Sequence, residues 1–152
     1  MQGRYIRLET LTKDHISDLW HHYSVDDSTP TWLPGKWPTR QEDFQDQMLG
    51  LAKDGKVALF ALLGDPAFLN PQRKGSTQHA SQHTEDQHPP RLEAMGFVAF
   101  GDIKPEHRTI EAGAVFGPRV RGTAAATESN YLYAISNEVI PRPIVKISVL
   151  SN

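Results

Sequence analysis

Arg119 and Arg121 stand at the edge of a run of small residues, Gly122, Thr123, Ala124, Ala125 and Ala126, and this stretch is the part of the chain best suited to hold an anion. Upstream, residues 110–116 are apolar and β-prone, and Gly117-Pro118 interrupts them. After the basic turn the chain takes on helical character. A strand, a turn and a helix start in that order leave backbone N–H groups pointing outward at the positive end of a helix dipole. Small residues let a phosphate approach that backbone closely. The same residues also suit a plainer role, in which Thr123 caps a helix after a strand and binds nothing. On spacing alone the plainer role has the better claim; the two arginines weigh toward the anion.

Composition removes several other chemistries. The chain has no cysteine, so disulfides, thiol nucleophiles and Cys-based zinc sites are excluded. A formal charge of −2 gives no electrostatic case for nucleic acid or an anionic membrane as partner. The longest apolar run, residues 57–63, is far too short for a membrane span. The opening MQGRYIRLE is polar and strand-like, unlike a secretory leader, so a soluble cytoplasmic protein is expected. His15, His21 and His22 read as exposed helix histidines without facing ligands, and no metal site is expected. With 152 residues and 38% apolar content, the chain suffices for one domain with a modest core.

The elements that must position the basic turn follow in order. Residues 5–9 alternate, with Ile6 and Leu8 on one face, as a half-exposed strand does. Thr12 can cap a helix carrying Ile16, Leu19, Trp20 and Tyr23 on one stripe. A loop over 26–38 holds Trp32 and Trp37 about Pro34-Gly35, which suggests pinning by aromatic burial. Thr39 and Glu42 match a capping box, and Phe44, Met48, Leu51 and Ala52 continue the apolar stripe of a second helix. Strands are expected over 57–63 and 94–103, and a return strand over 109–116 closes a hairpin. Between the first two of these, residues 70–90 hold Ala80 alone from the apolar set. They read as a disordered surface insert in which His79, His83 and His88 lack a scaffold for a metal. A third helix, with Thr127, Tyr131 and Ile135 on one stripe, ends by Pro141 and Pro143, and residues 144–150 form a last strand. Strand, two helices, three strands, helix, strand, with a central hairpin, argues an α+β sheet, mixed but mainly antiparallel, with flanking helices.

That order, with a phosphate-type turn between the fourth strand and the third helix, resembles the GNAT superfamily of acetyl-CoA-dependent N-acetyltransferases. The wording resembles its RimJ/RimL-like branch: GRYIRLETLTKDHISDLW is similar to the first strand and helix, and IEAGAVFGPRVRGTAAATESNYL to the acyl-CoA loop. The family's loop has the form Gln/Arg-x-x-Gly-x-Gly/Ala. Arg119-x-x-Gly122-x-Ala124 keeps the central glycine. Arg121-x-x-Ala124-x-Ala126 keeps the distance from Pro118 and the Thr127-Glu128 continuation, and is the preferred register. The resemblance implies that the backbone of Phe116 contacts the pantetheine arm of acetyl-CoA and that residues 121–126 cradle its pyrophosphate. Arg119 or Arg121 would add charge-assisted bonds. It also implies transfer of an acetyl group to a primary amine of a protein N-terminus or a small molecule. Glu111, on the strand beside the expected thioester, is the candidate for removing the amine's proton, against a plain exposed strand glutamate.

The family's domain continues beyond a fifth strand, through an Asn-containing loop, a fourth helix and a closing hairpin. Residues 147–152 resemble the end of that strand, with Asn152 at the family's cofactor-side asparagine, so a single GNAT-like domain incomplete at its C-terminus is expected over 1–152. Three readings follow: an N-acetyltransferase, a catalytically incompetent acyl-CoA-binding remnant, and an interaction domain in which residues 119–126 only cap a helix.

Overall fold

The structure, a computed structural model, describes residues 1–25, 37–54, 57–66, 91–104, 106–107, 109–134 and 146–150. The proposed insert at 70–90, Trp32, Pro34-Gly35, Ile135, Pro141, Pro143 and Asn152 lie outside the described residues.

Alternating apolar residues build a five-stranded sheet in the order β1-β2-β3-β4-β5. Its strands are β1 (Ile6–Thr10), β2 (Ala58–Gly64), β3 (Glu93–Lys104), β4 (Thr109–Phe116) and β5 (Lys146–Leu150). The first three pairings are antiparallel and the β4–β5 pairing is parallel, so the mixed, mainly antiparallel α+β sheet expected from the element order is present. β-Branched and aromatic residues fill both faces of β3, the central strand, where Val98 and Phe100 face one side and Phe97 the other.

Among the described residues, three α-helices cover the two faces. On one, α1 (Ile16–Ser24) and α2 (Gln41–Lys53) pack Ile16, Leu19, Tyr23, Phe44 and Met48 against Leu59, Ala61, Leu63 and Phe97. On the other, α3 (Ala124–Ala134) packs Ala125, Leu132 and Tyr133 against Ile6, Leu8, Val98, Phe100, Ile110 and Ala112. Trp37 sits among Tyr23 and Phe44 at ring-centroid distances of 5.9 and 5.7 Å, so the loop before α2 is pinned by aromatic burial at this end.

Four local expectations change. α1 is preceded by a short 3₁₀ turn, Lys13–His15, and the Thr12 N–H donates to His15 Nδ1 at 3.1 Å. The Thr39–Glu42 capping box does not form. Arg40 holds the extended N-cap position of α2, and its guanidinium binds Asp43 at 2.8 and 2.9 Å, so an ion pair one residue later takes the same i, i+3 spacing. Leu51, 42% exposed, and Ala52 face away from the core, because Phe44 and Met48 already fill the contact with the sheet. On α3 the inward stripe is Ala125, Ser129, Leu132 and Tyr133; Thr127 and Tyr131 are exposed. The helix is rotated because Tyr133 stacks edge-on to Phe100, 5.8 Å between centroids, and occupies the core position that Tyr131 was expected to hold.

Candidate functional site

β4 carries the chain to the site. Gly117 N–H donates to Met95 C=O at 2.7 Å, so residues 95 and 117 form a hydrogen-bonded antiparallel pair. Because such pairs alternate along a ladder, the N–H and C=O of Phe116 point away from β3, toward the β5 side. The β4–β5 pairing runs only from Thr109–Lys146 to Gly113–Leu150. Among the described residues, the last three positions of β4 therefore have no partner strand on that side.

The turn after β4 is tightly wound. Val120 and Arg121 N–H groups return to Gly117 C=O at 3.0 and 3.3 Å, and Thr123 N–H returns to Val120 C=O at 3.2 Å. Val120 is fully buried beneath the turn and anchors it to the α3 side of the core. Gly122 has φ of +67° with nothing within 4 Å of a would-be Cβ, so it is required here by backbone conformation and not by crowding. Thr123 does not act as the expected side-chain cap: its hydroxyl donates backward to Val120 C=O at 2.6 Å. The helix-start donors are thus not consumed by that hydroxyl.

Phe116, Arg121, Gly122, Thr123, Ala124, Ala126, Thr127 and Asn130 line a pocket of about 530 Å³ at this corner. That volume is of the size usual for a small-molecule site. Of the residues expected to bind a cofactor, six come together here: Phe116, Arg121, Gly122, Thr123, Ala124 and Ala126. Arg121 reaches back along the strand, its Nε donating to Phe116 C=O at 2.9 Å. Two others are placed elsewhere. Ala125 points into the core, 1% exposed, and Arg119 is exposed outside the lining. Asn152 lies outside the described residues. Glu111 is exposed on β4, opposite Gly101 and, in the parallel pairing, Ser148. Five residue steps along the strand separate it from Phe116, a distance of roughly 17 Å.

Two lining residues were not anticipated, Thr127 and Asn130. Thr123, Ala126 or Thr127, and Asn130 recur at helical spacing, and this row of small and polar side chains was the available signal. Among the described residues, Asn130 Oδ1 is buried with no hydrogen-bond partner.

Behind the site, α1 supports the end of β4. Tyr23, fully buried, donates its hydroxyl to Val115 C=O at 2.9 Å. Burial pushes its phenol far above the ordinary tyrosine range. His22 was expected to be exposed; it is 5% exposed, and a Cβ on Gly117 would touch its Cβ at 3.3 Å. Its Nε2 lies 3.8 Å from Glu93. Burial, with Arg119 nearby, lowers its pKa below the ordinary histidine value. Among the described residues no group of three or more His, Asp or Glu side chains is placed to hold a metal, and no helix is long and apolar enough to cross a membrane.

No family model matches the sequence, and no curated protein matches it. Solved structures do. A GCN5-related N-acetyltransferase from Brucella melitensis is similar at TM-score 0.65 and 25% identity, over 88% of this chain and 51% of that one. A GNAT-family acetyltransferase from Chromobacterium violaceum matches at TM-score 0.66 and 22% identity, over 92% and 60%. A variant of the spermidine N-acetyltransferase SpeG from Vibrio cholerae matches at 0.57 and 14% identity, over 97% and 70%. The chain thus has the fold of the GNAT acetyltransferases, and it spans half to three-fifths of the length of the first two.

Proposed function

We propose that the chain binds acetyl-CoA at the corner between β4 and α3 and belongs to a protein that transfers the acetyl group to a primary amine. The observation that carries this reading is the pocket itself. It gathers a turn of small residues, the start of α3 and Arg121 beside a strand end whose backbone polar groups face away from β3. An anion is favoured at such a helix start, and close approach is possible because Gly122, Ala124 and Ala126 carry little bulk.

In this reading, backbone N–H groups at 122–126 hold the pyrophosphate. Arg121 both ties the turn to Phe116 and places positive charge at the pocket wall. The Phe116 N–H at the end of β4, whose C=O already accepts from Arg121, receives the extended arm, and the bound cofactor would supply an activated acetyl thioester. Glu111 is the candidate base that takes the proton from the amine at its carboxylate. The similarity to SpeG, a spermidine N-acetyltransferase, adds a polyamine to the acceptor classes worth assay, beside a protein N-terminus.

The test is a thermal melt of the purified chain with and without saturating acetyl-CoA, repeated on the Arg119→Ala/Arg121→Ala double variant. Ligand at about 100 times its dissociation constant adds about 2.7 kcal/mol to the native state, which raises the midpoint clearly. A shift in wild type that is lost in the double variant supports the reading. An equal melt with and without cofactor refutes it and leaves the turn as a helix cap. Acetyl transfer to an amine panel then separates an acetyltransferase from a domain that only holds cofactor.

A further inference from the structure

His22 packs against the first residue of the turn, and no side chain at Gly117 separates the two. A Cβ there would lie 3.3 Å from His22 Cβ and 3.5 Å from its Cγ. Gly117 C=O in turn accepts the Val120 and Arg121 N–H groups, and Arg121 lines the pocket. The histidine therefore bears on the peptide from which the turn is hung. It is buried, and among the described residues its Nε2 is shielded from water with no hydrogen-bond partner.

The charged and titratable groups around it come from three elements. Asp18 and His21 lie on α1, Glu93 begins β3, and Arg119 belongs to the turn itself. Asp18 is engaged, accepting the Ala94 N–H at 3.2 Å. Glu93 Oε2 stays 3.8 Å from His22 Nε2, beyond hydrogen-bond distance. Without ligand, burial and the Arg119 charge both act against an imidazolium. Burial is fixed by the packing of α1, whereas an anion at the turn offsets the Arg119 charge. Two cations that disfavour each other both gain from an anion placed near them. Because the ring is buried, salt screens this coupling less than it would at the surface.

Resting on the reading of the pocket as an acetyl-CoA site, we infer that His22 is a proton-linked support of that site. Its imidazolium forms as the cofactor's pyrophosphate binds, so acetyl-CoA is held more tightly in acid than at neutral pH. A bound anion favours the charged ring, and the complex therefore takes up the proton at a higher pH than the free chain does. Affinity is level above the value in the complex and climbs as pH falls between the two values. It levels again below the value in the free chain. By reciprocity, the factor gained in affinity equals the factor by which the ligand favours protonation. Both ring nitrogens of an imidazolium are donors, and the Glu93 carboxylate is the acceptor beside Nε2.

Two measurements on the full chain test this. Histidine ring resonances of wild type are titrated by NMR with and without saturating acetyl-CoA. The His22 midpoint should rise on binding, while that of exposed His107, at the opposite end of β4, should stay. Acetyl-CoA affinity is then measured by calorimetry at about pH 7.5 and about pH 5 in wild type and His22→Gln. Comparison with the variant cancels the titration of the cofactor's own phosphates. On acidification the wild-type affinity should gain about fivefold more than the variant's. A His22 midpoint unmoved or lowered by acetyl-CoA, or equal gains in the two proteins, overturns the linkage and leaves cofactor binding intact. If His22→Gln does not fold, the wild-type NMR titration decides alone. Wild type that binds no acetyl-CoA at either pH overturns the reading of the pocket and the linkage with it.

Discussion

The carboxylate of Glu128 occupies the space that a side chain at Gly3 would need: a Cβ there would lie 2.6 Å from the Glu128 carboxyl carbon. The same carboxylate accepts the Arg4, Tyr5 and Ile6 N–H groups at 2.6, 2.7 and 3.0 Å. One glutamate on α3 thereby satisfies three consecutive donors at the entrance to β1. Glu128→Ala should lower stability by about 1–3 kcal/mol, since three donors lose a charged acceptor but regain partial access to water. Gly3→Ala should lose a similar amount, because the carboxylate can escape the new methyl only by releasing those donors. Urea denaturation with an unchanged slope would show both losses.

Tyr23→Phe tests the support of β4 from α1. Removing the hydroxyl takes one donor from Val115 C=O and leaves the ring's packing against Phe44, Phe97 and Trp37 in place. The expected loss is about 1 kcal/mol, read from the shift in denaturation midpoint.

Gly122→Ala should cost roughly 1 kcal/mol through backbone conformation alone, since φ is +67° and the surrounding space is open. Gly122→Asn should recover part of that loss, because asparagine tolerates the left-handed region better than alanine. Equal stability of all three proteins would contradict the assigned turn.

His22 predicts a pH dependence of definite sign. Its pKa in the folded chain lies below 6.5, held down by burial, Arg119 and His21 against the opposing pull of Glu93 and Asp18. As pH falls below about 6.5 the unfolded chain takes up the proton first, so stability declines until the folded value is passed. Above that window the neutral ring contributes no slope. His22→Phe should flatten the stability profile between pH 7 and 5 relative to wild type, and an unchanged slope would assign the decline to other groups.

Where periodicity was strong, the sequence disclosed the architecture. Ile6 and Leu8, or Ile16, Leu19 and Tyr23, have one sensible buried face, and all five are buried. The helix after the basic turn was harder. Its residues are mostly small, so no stripe of bulk distinguishes the inward side, and the adjacent tyrosines Tyr131 and Tyr133 compete for one place in the core. Tyr133 takes the place, edge-on to Phe100 in a cluster drawn from distant strands. The same holds for His21 and His22, neighbours of one type with opposite exposure. For the site, Phe116, Arg121 and the small residues were legible because a strand-turn-helix pattern is local. Asn130 was not, since a polar residue one turn further along a helix does not by itself mark a pocket wall.

The sheet's spatial order repeats the order of its strands in the chain, so each new strand can add beside the one just made. The bond from Arg4 to Glu128 is different, as it joins positions 124 apart. A closure of that span cannot return its entropic cost until most of the intervening chain is in place. Its loss should therefore accelerate unfolding and leave the refolding rate nearly unchanged. In stopped-flow measurements Glu128→Ala is expected to raise only the unfolding limb, which makes this tie a determinant of how long the native chain lasts once formed.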